Sequence, residues 1–228
     1  MNDIIFKIVF GTQQGEPVLR ALINALLGLS GGDRITAIQV LNPHIDKEYL
    51  SERGVILDVK ARDAQGRLYN VEVQVSDEPE YVKRSLYYLA RLFVEQLEMG
   101  DPYECLARTI GISLLDFSLF PDRDDLHSVY RFHDAVHGLD LSDVLEIHFI
   151  ELLKFDGGRP HGLRTPFEKW LHILKFGDLY ESDLEALPET LKDEVGFELA
   201  INSMRRARAS DEVRELIEFR EKALHDEA

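Results

Sequence analysis

Two neighbouring stretches decide the fold of this chain: Val55-Ile-Leu-Asp-Val-Lys-Ala61 and Tyr69-Asn-Val-Glu-Val-Gln-Val75. In both, every odd-numbered residue is apolar or aromatic, and most even-numbered residues are polar. Successive side chains of an extended strand point to opposite faces of a sheet. The alternation therefore predicts two strands, each with one apolar and one polar face.

The segment between these strands predicts how they pair. Asp63-Ala-Gln-Gly-Arg67 suits a hairpin whose three-residue loop ends in a left-handed backbone conformation, which Gly66 adopts without steric cost. If Asp63 faces Arg67, the register follows, because a slip of one residue would exchange the two faces. The predicted partners on the polar face are Asp58 with Glu72, Lys60 with Asn70 and Ile56 with Gln74.

The polar face carries side chains suited to a hard cation. Asp58 and Glu72 would repel one another across the hairpin unless a positive charge lay between them. Two carboxylates, an oxygen of Gln74 and water suit Mg²⁺, and Lys60 lies on the same face. Such an ion activates water and neutralises charge on a phosphodiester. The alternative is an ordinary solvated strand face. Asp is depleted in strands, however, so an aspartate in mid-strand at position 58 favours a specific role.

The rest of the chain predicts a mixed α/β fold. Apolar spacing and turn residues predict helices over 16–27, 80–99, 167–176, 189–207 and 211–225, and further strands over 34–42, 108–120, 129–135 and 145–153. Gly157-Gly158 marks a boundary. We therefore expect a sheet-containing domain over residues 1–158 and a helical C-terminal extension over residues 159–228.

Composition limits the classes to which the protein can belong. A chain of 228 residues, with 45% hydrophobic and 30% charged side chains, indicates one principal folded domain plus an appendage. No stretch is long and apolar enough to predict a membrane span. The N-terminal residues are acidic where a signal peptide would be basic. The single cysteine, Cys105, cannot form an internal disulfide. These features predict a cytoplasmic protein that has no membrane partner.

The formal net charge of −16 opposes simple binding to a phosphate backbone. The acid excess is uneven, because residues 1–110 hold 12 basic and 16 acidic side chains, whereas residues 111–228 hold 14 and 26. We therefore expect the acidic extension to pack away from Asp58 and Glu72, against the core or against a second copy in a homodimer. The alternative is that it covers this face as an acidic mimic of phosphate.

The order of motifs resembles the PD-(D/E)XK nuclease superfamily: an aspartate, a hairpin, Glu-x-Gln on the next strand, and a helix. More narrowly, the chain is similar to the recombination-promoting nuclease and transposase (Rpn) family of that superfamily. The similarity rests on six blocks in order: Asn2–Lys7 with Phe10-Gly11, Ile56–Ala61, Gly66–Gln74, Lys83–Arg91, Leu115–Phe120 and Arg220–Leu224. It implies a restriction-endonuclease-like core, with helices flanking a central mixed sheet. It also implies metal-dependent cleavage of double-stranded DNA, linked to recombination or transposition.

The resemblance implies roles for individual residues. Asp58 matches the motif aspartate and Glu72 the acidic residue of the following strand, so both are expected to bind Mg²⁺, or Mn²⁺ in its place. No proline precedes Asp58, and Gln74 replaces the motif lysine. Gln74 can hydrogen-bond water or phosphate but carries no charge, which Lys60 could supply. Superfamily members often add an acid from their first helix, for which Asp3 is the candidate, with a helix N-cap or first-turn acid as the alternative.

Other polar residues allow two interpretations each. Lys83, Arg84 and Arg91, on the helix after the motif, are predicted to contact DNA phosphates, or else to be solvated surface charges. His133 and His137 would converge on a metal only within a helix, whereas the local pattern predicts a strand.

The sequence thus predicts a Mg²⁺-dependent DNA endonuclease whose catalytic residues are Asp58, Glu72, Gln74 and Lys60. The alternative is a catalytically silent nuclease fold that binds DNA or protein, which Gln74 and the acidic C-terminal half favour. A glycosidase with a carboxylate pair is set aside, because a sugar cleft needs aromatic side chains and the chain has one tryptophan.

Overall fold

The computed structural model describes residues 2–42, 58–157, 160–180, 187–192, 194 and 196–225. Within these ranges the helices are α1 (Asp3–Phe10), α2 (Glu16–Leu26), α3 (Tyr81–Val94), α4 (Pro166–Phe176), α5 (Glu189–Lys192), α6 (Phe197–Ala209) and α7 (Asp211–His225). The strands are β1 (Ile38–Val40), β2 (Val59–Asp63), β3 (Leu68–Gln74), β4 (Thr109–Leu115), β5 (His127–His133) and β6 (Asp140–Glu151).

The described strands form one mixed sheet in the order β1-β2-β3-β4-β6-β5. Strands β1, β2 and β3 pair antiparallel, β4 lies parallel to both β3 and β6, and β5 returns antiparallel to β6 at the edge. Parallel neighbours need a crossover connection, which α3 provides between β3 and β4. This architecture confirms the predicted α/β fold with a central mixed sheet flanked by helices.

The β2–β3 hairpin has the predicted register. Val59 pairs with Val71 and Lys60 with Asn70. The loop closes through the amide of Asp63, which donates to the carbonyl of Arg67 at 3.0 Å. Gly66 has φ of 84°, the left-handed conformation that the hairpin loop requires. Ile56 lies outside the described residues, so its pairing with Gln74 stays a prediction.

Helices cover the two faces of the sheet unequally. The large core contains the odd-numbered residues of β2 and β3 together with residues of α1, α2, α4 and α6. On the opposite face, α3 packs Tyr81 and Leu89 against Ile147 and Phe149 of β6. Since side chains alternate along β3, Glu72 lies on the α3 face.

The described helices of the C-terminal extension belong to the large core. Trp170 and Leu171 of α4 and Phe197 and Ile201 of α6 are fully buried, in the same apolar cluster as α1 and α2. These helices therefore lie on the sheet face opposite Glu72, as predicted for an extension that packs away from Asp58 and Glu72. The division at residue 158 stays a prediction, and the core is continuous across it.

Some predicted element boundaries are wrong. Helix α3 ends at Val94 rather than at residue 99, and the backbone continues in tighter turns, with the amides of Gln96 and Leu97 donating to the carbonyls of Phe93 and Val94. The helix predicted over 189–207 is interrupted, because Gly196 has φ of 92° and a left-handed residue cannot continue an α-helix. Strand β1 is shorter than predicted, and β6 begins at Asp140 instead of residue 145. No helix in the described ranges is long and apolar enough to cross a membrane.

Candidate active site

Glu72 is a buried carboxylate at the centre of the α3 face. Only 3% of it is exposed. Its Oε1 accepts a short hydrogen bond from the Tyr81 hydroxyl on α3 and another from Ser113 Oγ on β4, at 3.1 Å. Its Oε2 is buried and has no hydrogen-bond partner among the described residues. Buried polar atoms are rarely left without a partner, so Oε2 is a candidate ligand atom for a cation.

Asp58 is partly buried and directly precedes β2. Extending the hairpin register by one pair places it opposite Glu72. The Asn42 amide donates to Asp58 Oδ1 at 3.1 Å. The ammonium group of Lys7, on α1, donates to the carbonyls of Asp58 and Asn42, both at 2.6 Å. Residues from two distant segments therefore hold Asp58 in place.

Lys7 and Asn42 were not identified from the sequence as site residues. One signal was present, because Lys7 is the one charged residue in the otherwise apolar run from Ile4 to Phe10. A buried ammonium group needs hydrogen-bond acceptors, and Lys7 is only 3% exposed. Asn42 had no such signal, since an asparagine before a proline is an ordinary turn residue.

The charged groups shift one another's pKa values. Burial raises the pKa of Glu72 above its ordinary value, and the charge of Asp58 raises it further, against the hydrogen bonds that Glu72 accepts. Burial also raises the pKa of Asp58, opposed by the positive charges of Lys60 and Lys7. Burial lowers the pKa of Lys7 to about 8. The site thus disfavours its own two negative charges, an effect that a bound cation would reverse.

Gln74, in place of the motif lysine, belongs to a polar network at the end of β3. Its Oε1 accepts from Arg84 Nη2 of α3 at 3.0 Å. Its Nε2 donates to Glu78 Oε1 at 3.0 Å and to the Ser76 carbonyl at 3.1 Å. Arg84 also pairs with the second oxygen of Glu78 and lies over the Tyr81 ring, 5.3 Å from its centroid. Arg84 thus contacts Gln74 directly, which the sequence did not predict.

The other two predicted DNA contacts lie on the outer surface of α3. Lys83 pairs with Glu80, and Arg91 Nε donates to Glu95 at 2.6 Å. Their side chains are 80% and 55% exposed, compared with 19% for Arg84. The structure therefore separates Arg84, which faces the candidate site, from two solvated bases. Contact of all three with DNA stays a prediction.

Asp3 lies in the first turn of α1. Asn2 is the N-cap, and Asp3 is buried with its carboxylate accepting from the Ile4 amide at 2.9 Å. Asp3 precedes Lys7 by one helical turn and so lies on the same side of α1. Its role as a metal ligand stays a prediction.

His133 and His137 do not form a helical pair. His133 ends β5, and His137 lies in the turn that follows, where its Nδ1 is 3.2 Å from Asp134. This agrees with the predicted strand.

The donor set fits a hard divalent cation. Carboxylate oxygens are the preferred ligands of such ions, and Glu72, opposite Asp58, presents a buried one that has no partner within the described part of the chain. Among the residues with described positions, no group of three or more His, Cys, Asp or Glu converges on one point. An ion here would therefore be held by Asp58 and Glu72, with other oxygens or water completing its shell.

Comparison with known proteins agrees with this geometry. The family model described as "PD-(D/E)XK nuclease family transposase" matches residues 1–228. No curated protein and no solved structure matches the chain. The family match covers the whole length and includes the hairpin that carries Asp58 and Glu72. This chain therefore belongs to the PD-(D/E)XK nuclease family of transposases.

Proposed function

We propose that this protein is a metal-dependent endonuclease that hydrolyses phosphodiester bonds of double-stranded DNA. One observation carries the proposal: a buried oxygen of Glu72 has no hydrogen-bond partner among the described residues, and the extended hairpin register places a second carboxylate, Asp58, opposite Glu72. Both oxygens of a buried structural carboxylate are usually hydrogen-bonded. The family supports a nuclease fold, and the site supports an active one.

The side chains of the site have distinct roles in this proposal. Asp58 and Glu72 hold the ion, and Tyr81 and Ser113 orient Glu72 by occupying its other oxygen. When bound, Mg²⁺ or Mn²⁺ would supply positive charge to the phosphate and to a water nucleophile. Lys60 lies on the same strand face, and its charge favours the ionised form of Asp58.

Further parts of the proposal concern the setting of the enzyme. Asp3 would complete the metal site through a bridging water, since Asp3, Asp58 and Glu72 do not converge on one point. Gln74 would position water or phosphate. Lys83, Arg84 and Arg91 would contact DNA. A link to recombination or transposition, a cytoplasmic location and a homodimer also belong to the proposal.

Cleavage of a supercoiled plasmid tests the function. With Mg²⁺, wild-type protein should nick the plasmid, and Asp58→Ala and Glu72→Gln should each slow nicking by at least about 100-fold, the usual cost of losing transition-state charge stabilisation. Asp125→Asn removes an exposed carboxylate outside the site and is the matched control. Equal nicking by wild type and Asp58→Ala would contradict the proposal.

A catalytically silent nuclease fold that binds DNA or protein is the second candidate. The uncharged Gln74 and the acidic partners of all three α3 bases favour it. Calorimetric titration with Mg²⁺ and Mn²⁺ separates the candidates. A nuclease should bind metal in a manner that Asp58→Ala and Glu72→Gln abolish, whereas a silent fold should show no such binding.

A further inference from the structure

We propose that Gln74 and Arg84 form the binding site for the scissile phosphate, and that the Glu78 carboxylate occupies this site in the free protein. The inference rests on the proposed nuclease function and identifies how its substrate is held. It also gives Arg84 a specific role, supplying the positive charge that Gln74 lacks.

The geometry around Glu78 is that of a bound oxyanion. Gln74 Nε2 donates to one carboxylate oxygen of Glu78 at 3.0 Å, and Arg84 Nη1 pairs with the other. Both donors are oriented by further contacts, because Gln74 Oε1 accepts from Arg84 Nη2 at 3.0 Å. Two converging donors that hold two oxygens of one anion suit a phosphate as well as a carboxylate.

Arg84 is placed where a catalytic cation is needed. Its guanidinium lies on the ring of Tyr81, whose hydroxyl binds Glu72, and its charge acts on Glu72 itself. A planar guanidinium binds phosphate through paired hydrogen bonds, with greater geometric specificity than a lysine point charge. The side chain is only 19% exposed, so its charge is less screened than those of Lys83 and Arg91.

The segment that carries Glu78 is suited to release it. It connects β3 to α3, and its last residue, Glu80, has φ of 63°, a left-handed conformation that is unfavourable for a non-glycine residue. An open cavity of about 570 Å³, lined by residues 77–83 and Leu119, lies beside it. The negative charge of Glu78 would repel a DNA phosphate if it stayed in place, so substrate must exchange with it.

A double-mutant cycle between positions 78 and 84 tests the inference. The readouts are binding of a short duplex in Ca²⁺ and its single-turnover cleavage in Mg²⁺. Glu78→Gln should bind the duplex about tenfold more tightly, since a competing charged hydrogen bond is lost. Arg84→Gln should cleave at least about 100-fold more slowly. The slope of the logarithm of its DNA affinity against the logarithm of salt concentration should be shallower by about one. In the double variant, the gain from Glu78→Gln should disappear.

The matched control is a second arginine–carboxylate pair, Arg123 and Asp125, which is exposed and lies outside the site. Arg123→Gln and Asp125→Asn should leave cleavage within about twofold of wild type and show no coupling, as expected for a surface pair. Thermal melting verifies that each variant folds. If Arg84→Gln does not fold, Arg84→Lys is the second variant. It keeps the positive charge but lacks the planar guanidinium with its paired donors, and it should cleave at least about tenfold more slowly.

The outcomes separate the inference from the function. If wild type cleaves but Glu78→Gln binds like wild type, or Arg84→Gln cleaves like Arg123→Gln, the inference is overturned and the nuclease function stands. If wild type does not cleave, the proposed function is wrong. In that case the double-mutant cycle of duplex binding alone tests the inference. Coupling between positions 78 and 84 would support a phosphate site, and no coupling would overturn the inference.

Discussion

Glu72 is held in surroundings that oppose its own charge. Burial and the neighbouring Asp58 raise its pKa, and one of its oxygens has no hydrogen-bond partner among the described residues. When the pKa of an acid is higher in the folded protein than in the unfolded chain, the protein becomes less stable as pH rises from the unfolded pKa to the folded pKa. The metal-free protein therefore carries a cost at this residue, as binding sites commonly do.

We predict that Glu72→Gln stabilises the metal-free protein. Gln is neutral, and its oxygen can still accept from Tyr81 and Ser113. In EDTA at neutral pH, the free energy of unfolding from urea titration should rise by about 1–3 kcal/mol, because the substitution removes a buried negative charge that the surroundings disfavour. The gain should shrink as pH is lowered towards the ordinary pKa of a glutamate, 4.5. Equal stability of the two proteins across this range would show that the buried charge of Glu72 does not destabilise the metal-free protein.

At the scale of elements, β5 and β6 are joined by a buried polar network. Glu146 accepts from Arg108 at 2.9 Å, from Arg131 and from His148 at 2.6 Å, and His148 contacts His127 at 2.8 Å. Burial alone would raise the pKa of Glu146, but the hydrogen bonds from His148 and Arg131 lower it to about 2. Burial, with the neighbouring His148, lowers the pKa of His127 to about 4. These ionisation states hold the edge of the sheet in place.

This network predicts acid lability of the β5–β6 edge. A histidine whose folded pKa is depressed contributes stability above its ordinary value of 6.5, and that stability is lost as pH falls towards 4. Wild type should therefore lose on the order of 1–2 kcal/mol more than His127→Gln over this window, since one pKa unit corresponds to about 1.4 kcal/mol and solvent screens the partly exposed imidazole. Urea unfolding at several pH values measures the difference. His137 lies in an exposed turn, so His137→Gln should show the same dependence of stability on pH as wild type. If His127→Gln also lost stability in parallel with wild type, His127 would have no such role.

At the scale of the whole molecule, one apolar core joins the N-terminal and C-terminal segments. Phe10 of α1 contacts Trp170 of α4, and Trp170 contacts Phe197 of α6, with ring centroids 6.1 Å and 4.6 Å apart. All three side chains are fully buried. The helical C-terminal extension therefore stabilises the fold from behind the sheet, on the face opposite Glu72.

Removal of residues 159–228 should consequently leave an aggregating chain. The truncation would expose the apolar faces of α1 and α2, and large exposed apolar patches lead to aggregation. Size-exclusion chromatography and circular dichroism of the truncated protein measure the outcome. Removal of α7 alone is the milder control, because its described contacts with the core are those of Val213, Leu216 and Ile217. A soluble truncated protein that cleaves DNA faster than the full chain would instead indicate autoinhibition by the extension.

The local features of the fold were predictable from the sequence because each depends on residues close together in the chain. Alternation placed Val59 and Val71 on one face, and Gly66 specified the loop that pairs them. The same register brought Asp58 towards Glu72. Helices α2 and α4 followed from apolar spacing, with Thr165 and Glu168 forming a capping box at the start of α4.

Only the tertiary structure decided what surrounds those residues. Lys7 reaches Asp58 across 51 positions of the chain, and Ser113 reaches Glu72 across 41. The pairing of Arg84 with Gln74 and Glu78 depends on where α3 crosses the sheet. Sequence periodicity indicates which face a residue occupies but not which distant side chain meets it there, because that depends on how whole elements pack. The sequence alone therefore determined the carboxylate pair and its strands, whereas packing determined their burial, their partners and the contacts of Arg84 with Gln74 and Glu78 beside them.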